Sequence, residues 1–185
     1  MPRLCNNVVA FSDLVTSTGA AVALYPKGLL REEETSSARG AEAFRYVYFD
    51  NGTAVAAAAG ALAYRGVTAA NFWDVTSDVS GVDSAFAAGA FQSIITDTYY
   101  GWVKTRGYES ALKKSTGSGY GWTKGDVLYA GGAATDDGKA YRIKLTATTK
   151  VSGAELRAIL ERIVGWAAAT VSSTTASGAA YIDFE

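Results

Sequence analysis

Residues 96–110 read TDTYYGWVKTRGYES. The first part of this stretch alternates as a strand does. Over 98–106, Tyr100, Trp102 and Lys104 fall on one side, and Tyr99, Gly101, Val103 and Thr105 fall on the other. The Gly-Trp pair at its centre returns at Gly121-Trp122 and Gly165-Trp166, so three of the four tryptophans directly follow a glycine. A tryptophan buries up to about 250 Å² and anchors a small β core. A glycine before it leaves space on the opposite face, where a neighbouring strand or turn presses in. The repeat predicts a packing device in a β protein, with Trp102, Trp122, Trp166 and Tyr100 as core candidates. The alternative is a row of outward rings that holds sugars or bases.

Strand signals continue on both sides. The run FRYVYF at 44–49 is aromatic and β-branched. Asn51-Gly52, the pair favoured in two-residue turns, follows it, so 44–66 reads as a hairpin or an early meander. Residues 107–121 are polar, contain four glycines and read as a loop. Its glycines do not lead into a Lys-Ser/Thr and a helix, so it is not a phosphate-binding loop. Residues 124–145 read as a strand, a glycine turn, an Asp-Gly turn and a second strand, in which Tyr141, Ile143 and Leu145 alternate with Arg142 and Lys144. The terminal GAAYIDFE predicts a last strand with Tyr181 and Asp183 on one side and Ile182 and Phe184 on the other.

One segment breaks the β rhythm. Ser152 and Glu155 form a reciprocal N-cap pair. Leu156, Ile159, Leu160, Ile163 and Val164 follow at helical spacing, so a helix is expected over 153–164, closed by Gly165. Its apolar residues Leu156, Ile159, Leu160 and Ile163 join the core candidates. Residues 1–43 read as an extended N-terminal arm, ordered by contact with something else; LLREEETSSARGAEA at 29–43 is a short helix or a solvated stretch. The expected architecture is mainly β: a compact barrel or sandwich-like domain over 44–185, one short helix, and the arm.

The totals limit the chemistry. A chain of 185 residues makes one domain able to hold a core without covalent staples. It has no histidine, which removes the commonest general base, the commonest metal ligand and any Ser-His or Cys-His nucleophile. The single Cys5 forms neither an internal disulfide nor a zinc cluster, and reads as a small buried hydrophobe or a loose thiol. Absence of disulfides fits assembly in a reducing cell. No run of 18 apolar residues crosses a membrane, and the N-terminus lacks a secretory apolar core. Residues 100–150 carry nine Lys/Arg against four Asp/Glu, and the rest of the chain eight against fourteen. Apart from Lys113-Lys114 the cations are spaced singly, so this asymmetry reads as faces that meet in an assembly rather than as a nucleic-acid surface. Asp74, Asp78 and Asp83 lack calcium-loop spacing and read as turn caps. Asp136 and Asp137 precede Gly138 and read as a turn rather than a glycosidase pair. The sequence therefore assigns no catalytic residue, no cofactor and no metal ligand.

The order VTSDVSGVDSAFAAGAF (75–91), YYGWVKTRGY (99–108), KGDVLYAGG (124–132) and IVGWAAATVSSTTASGAAYIDF (163–184) resembles that of tailed-phage virion proteins of the capsid-decoration or minor-capsid kind. The preceding YVYFDNGTAVAAAAGALAYRG also looks like that group, so the likeness covers roughly 44–185. It departs at 153–164, where shorter members have a simple turn. The resemblance implies a β barrel that does no chemistry. It implies a decoration or cement protein on the capsid surface, assembled in the host cytoplasm. Its partners would be the major capsid protein and itself, commonly as a homotrimer, with no nucleic acid and no membrane. The alternatives are a head-fibre, head-completion or tail protein, and a carbohydrate-binding module.

Overall fold

The computed structural model describes residues 18–34, 40–52, 55–65, 72–78, 86–131, 138–143 and 162–184. Ten strands lie among them: β1 Leu30–Glu34, β2 Ala41–Phe49, β3 Leu62–Arg65, β4 Asp74–Thr76, β5 Ala87–Phe91, β6 Tyr100–Lys113, β7 Val127–Ala130, β8 Ala140–Arg142, β9 Ile163–Ala167 and β10 Ser177–Asp183. They form one sheet in the order β1-β2-β4-β3-β5-β6-β10-β9-β7-β8. An additional β2–β6 pairing joins two strands that this order separates, so β2, β4, β3, β5 and β6 make a partial ring. The protein is mainly β, and among the described residues no clear barrel closes.

The long strand β6 organises the packing. Trp102 packs with Phe44 and Tyr46 of β2. The next residue, Val103, points into a second cluster with Val47, Phe49, Val75, Phe91 and Ile95. Ten residues after Trp102, Leu112 enters a third, with Leu62, Tyr64, Trp122, Leu128, Val164 and Ile182. Alternation separates the Trp102 and Val103 clusters, and Leu112 reaches its own because it lies ten residues further along the strand. Charge is buried too. The Lys104 ammonium lies 3.2 Å from Glu42 and 3.7 Å from Glu109, and donates to the Tyr108 carbonyl at 2.8 Å. Gln92 Nε2 donates to the same Glu109 carboxylate at 2.9 Å, so the buried acid keeps more than one partner.

Several expectations need correction. No helix occurs among the described residues, and the short helix over 153–164 is not supported. Leu156, Ile159 and Leu160 lie outside the described residues, while Ile163 and Val164 belong to β9. The competing signal was β-branching: Ile163 and Val164 begin a run that pairs with β7 and β10. The loop expected from 107 instead continues β6 to Lys113, because Gly107 to Lys113 pair with β10. β2 and β3 are not a hairpin, since β4 lies between them, parallel to β2 and antiparallel to β3. Asn51-Gly52 is not the primed turn either. Gly52 has positive φ but Asn51 does not, and the primed turn needs both. The Asn51 side-chain carbonyl instead accepts from Thr76 Oγ1 at 2.7 Å and from the Asp78 amide at 3.1 Å, tying β2's end to β4's end.

The N-terminal segment is also more than an arm where it is described. The boundary expected between 43 and 44 falls inside β2. Glu32 to Glu34 pair in β1 with Ala43 to Ala41, and Ala20 exchanges backbone hydrogen bonds with Tyr100, both at 2.9 Å. Tyr25 sits edge-on to Tyr46 at 5.2 Å and reaches Trp102 at 5.7 Å. Tyr25 and Leu29 thereby cover a face of β2 and β6 that aromatic rings would otherwise expose.

Trp102 is fully buried. Trp102→Ala is expected to lower stability by about 3–5 kcal/mol, as large-to-small core changes do. Tyr25→Ala is expected to lower it by less, because its ring is only partly buried. Urea unfolding measures both. An unchanged midpoint for Tyr25→Ala would show that the N-terminal segment adds nothing to this core.

Candidate functional site

The three Gly-Trp pairs share a rule for the glycine and diverge for the ring. A Cβ at Gly101 would run into the Ile95 side chain, and one at Gly165 into the Tyr181 carbonyl. At Gly121 it would meet the Val171 carbonyl at 3.1 Å. Each glycine thus admits a close neighbour. Trp102 is buried, and so is Trp122, whose ring lies over Gly178, where a Cβ would come within 2.8 Å of its Cζ3. Tyr100 is half-buried at the rim of the Trp102 cluster. Trp166 is different: it is 49% exposed, and Ile163 is 38% exposed. Neither belongs to the core expected of it.

A β-bulge causes this. Opposite β7, Val127 faces Trp166, Leu128 faces Gly165 and Tyr129 faces Ile163, so β9 carries one residue too many. Gly165, with φ of 144°, absorbs it. Ile163 and Trp166 consequently both face outward, while Val164 and Ala167 are buried.

Trp166 then completes a cross-strand row. Tyr108 on β6 is opposite Tyr181 on β10, Tyr181 is opposite Trp166 on β9, and Trp166 is opposite Val127 on β7. Ring centroids are 5.5 Å apart for Tyr108–Tyr181 and 6.3 Å for Trp166–Tyr181. Val127 is 41% exposed. Three strand spacings give the row a length of about 14 Å. A contiguous apolar band of this kind on an outer face suits docking of another surface. Period-2 reading placed Tyr181 on the side opposite Ile182, but the bulge that adds Trp166 leaves its only trace in the Val-Gly-Trp order.

The polar groups do structural work. Asp74 pairs with Lys27 at 2.6 Å, Asp97 accepts from the Asn51 amide at 2.7 Å, and Asp126 accepts from the Thr123 amide at 2.7 Å. Asp83, Asp136 and Asp137 lie outside the described residues. Among the described residues, no group of three or more acidic or cysteine side chains is placed to hold a metal ion. The Tyr48 hydroxyl is held above the usual tyrosine range, first by loss of solvent and then by Asp50, Tyr100, Asp74 and Asp97. Lys114 is nearly fully buried at the end of β6, where its ammonium donates to the Ser115 carbonyl at 2.8 Å. Burial holds it below the usual lysine range. A concave feature lined by Arg45 and Arg65 escaped the sequence reading because the two residues stand apart in the chain.

The chain matches no protein-family model, no curated protein and no solved structure.

Trp166→Ala is expected to change stability by less than about 1 kcal/mol, since the ring packs on an outer face. Gly165→Ala is expected to lower it by about 3 kcal/mol, because a Cβ there meets both a forbidden φ and the Tyr181 carbonyl. Equal effects in thermal unfolding would sink the bulge argument. For Lys114, the lowered folded pKa means that the unfolded chain binds more protons, up to its own pKa of about 10.4. The site's contribution to stability therefore rises with pH. Lys114→Met is expected to be more stable than the parent at about pH 7, with the gap narrowing toward about pH 10. Urea midpoints across that range test it; a gap independent of pH would show a well-solvated ammonium.

Proposed function

We propose that this chain is a non-enzymatic structural protein of a tailed-bacteriophage particle, a decoration or cement protein that binds and stabilises the icosahedral head shell. The observation that carries the proposal is the outward row of Tyr108, Tyr181, Trp166 and Val127 on a sheet whose strands are fastened by buried rings. A rigid face with an exposed apolar band is what a cement protein needs, because its binding then orders few side chains. The partners in this reading are the major capsid protein, met through that row, and further copies of the same chain, as a homotrimer. Closure of the partial ring into a barrel, and residence on the capsid surface, belong to the same proposal.

A second reading is favoured by the same rings. Tyr181 and Trp166 lie tilted by 35° to each other, as in a platform on which a sugar could stack. That would make the chain a carbohydrate-binding module.

One experiment separates them. Phage shells lacking the protein are mixed with the parent chain, with Trp166→Ala and with Val127→Asp, then sedimented. The cement reading expects the parent to sediment with shells at a simple ratio to the major capsid protein, and both variants to remain in solution while still folded. Shells that bind none of the three would overturn it. Binding of the parent to a glycan array, lost in Trp166→Ala, would establish the second reading in its place.

A further inference from the structure

Arg45 of β2 and Arg65 of β3 are twenty residues apart in sequence. The insertion of β4 between their strands brings them to one cleft of about 380 Å³, lined also by Phe72, Trp73, Thr105 and Phe184. The Trp73 ring lies within reach of both guanidiniums, 5.1 Å from Arg45 Cζ and 5.4 Å from Arg65 Cζ. Arg65 also lies over Phe72, its Cζ 4.0 Å from the ring centroid. Trp73 is itself wedged against Gly28, where no Cβ would fit, and Arg45 Nη1 donates to the Gly28 carbonyl at 3.0 Å. The walls and one cation are therefore set before any ligand arrives.

Among the described residues, the charges lining this cleft are both positive. Elsewhere Arg31 pairs with Glu33, Arg106 with Glu32 and Arg142 with Asp126. Among the described residues, no carboxylate forms an ion pair with Arg45 or Arg65. The Arg65 Nε is buried and has no hydrogen-bond partner. Loss of solvent, and then the neighbouring Arg45 charge, hold the Arg65 guanidinium below the usual arginine range. Two neighbouring cations lining one cleft repel each other, and an anion bound in the cleft offsets that repulsion. Guanidinium forks match carboxylate and phosphate oxygens in paired hydrogen bonds. Phe72, 51% exposed, offers an apolar surface to whatever carries the anion.

We propose that this cleft binds a small organic oxyanion, a carboxylate or phosphate monoester on a flat apolar body, with Arg45 and Arg65 holding the oxygens and Phe72 and Phe184 flanking the body. The site lies apart from the Trp166 row and does not depend on the assembly role proposed above.

Titration calorimetry of the full chain tests it with phenyl phosphate, benzoate, inorganic phosphate and neutral benzyl alcohol. Saturable one-site binding is expected for at least one of the two aromatic anions, tighter than for inorganic phosphate, with none for the alcohol. Which aromatic anion binds tells phosphate from carboxylate. Arg65→Gln is expected to weaken that binding about ten- to a hundredfold while the melting temperature stays the same or rises, since an unpaired buried donor is removed. Should Arg65→Gln fail to fold, Arg45→Gln is read by the same criterion. No saturable heat from either aromatic anion, or equal affinity in the arginine variants, would overturn the proposal.

Discussion

The structure depends on the first half of β6, Gly101 to Thr105, being buried on both of its faces. A strand so placed is fixed by alternate residues that enter different cores, so it cannot slip by one position without turning every side chain to the wrong side. Trp102 and Val103 are adjacent in sequence and belong to separate clusters. The same strand then passes Lys104, with its two carboxylate neighbours, and ends with Leu112 in the third cluster. Its register with β2 along one part and with β10 along the next sets the positions of the strands beyond. Moving the Lys104 ammonium out of place would leave Glu109 buried without its charge partner, which penalises alternative registers more than it stabilises the native one.

This dependence explains which parts of the fold were legible in the sequence. FRYVYF lies in β2 and YGWVKT in β6, where their rings and β-branched residues find partners on either face. GAAYIDF alternates cleanly, and its buried Ala180 and Ile182 follow period 2. The second half of β6 was illegible for a physical reason. Its charges, Glu109 and Lys113, look like loop residues, yet the Glu109 side chain is buried against Gln92 and Lys104. The partner that makes a buried acid tolerable stands seventeen residues away for Gln92, and no local pattern announces it. Residues 30–34, in β1, were illegible for the same reason. Their glutamates alternate in exposure along β1, and Glu32 reaches Arg106 at 2.9 Å.

The candidate sites were less legible than the fold, since both arise from long-range placement. Arg45 and Arg65 are ordinary singly spaced cations until β4 enters between their strands. A parallel β2–β4 pair requires a crossover, and nothing in the turn residues near Asn51 specified one. Asn51 looked like a turn former and acts as a clasp instead, because its side-chain carbonyl satisfies donors at 76–78.

The Gly-Trp pairs show how one local rule yields opposite outcomes. In each, the glycine lets a neighbour approach a backbone that a side chain would block. Where the strand keeps its alternation, as at Gly101, the following tryptophan falls on the opposite face and is buried. At Gly165 the neighbour is the Tyr181 carbonyl, and the backbone takes a positive φ to accommodate it. That conformation adds a residue to the strand and shifts the phase of all that follows. Under strict alternation Trp166 would share a face with Val164, which is fully buried. The bulge sends the ring outward to stand beside Tyr181 and Val127. A large apolar residue held in the open by a backbone distortion makes no contribution that a core position would not improve. In the proposed assembly role, this ring is the part of β9 that a partner surface would cover.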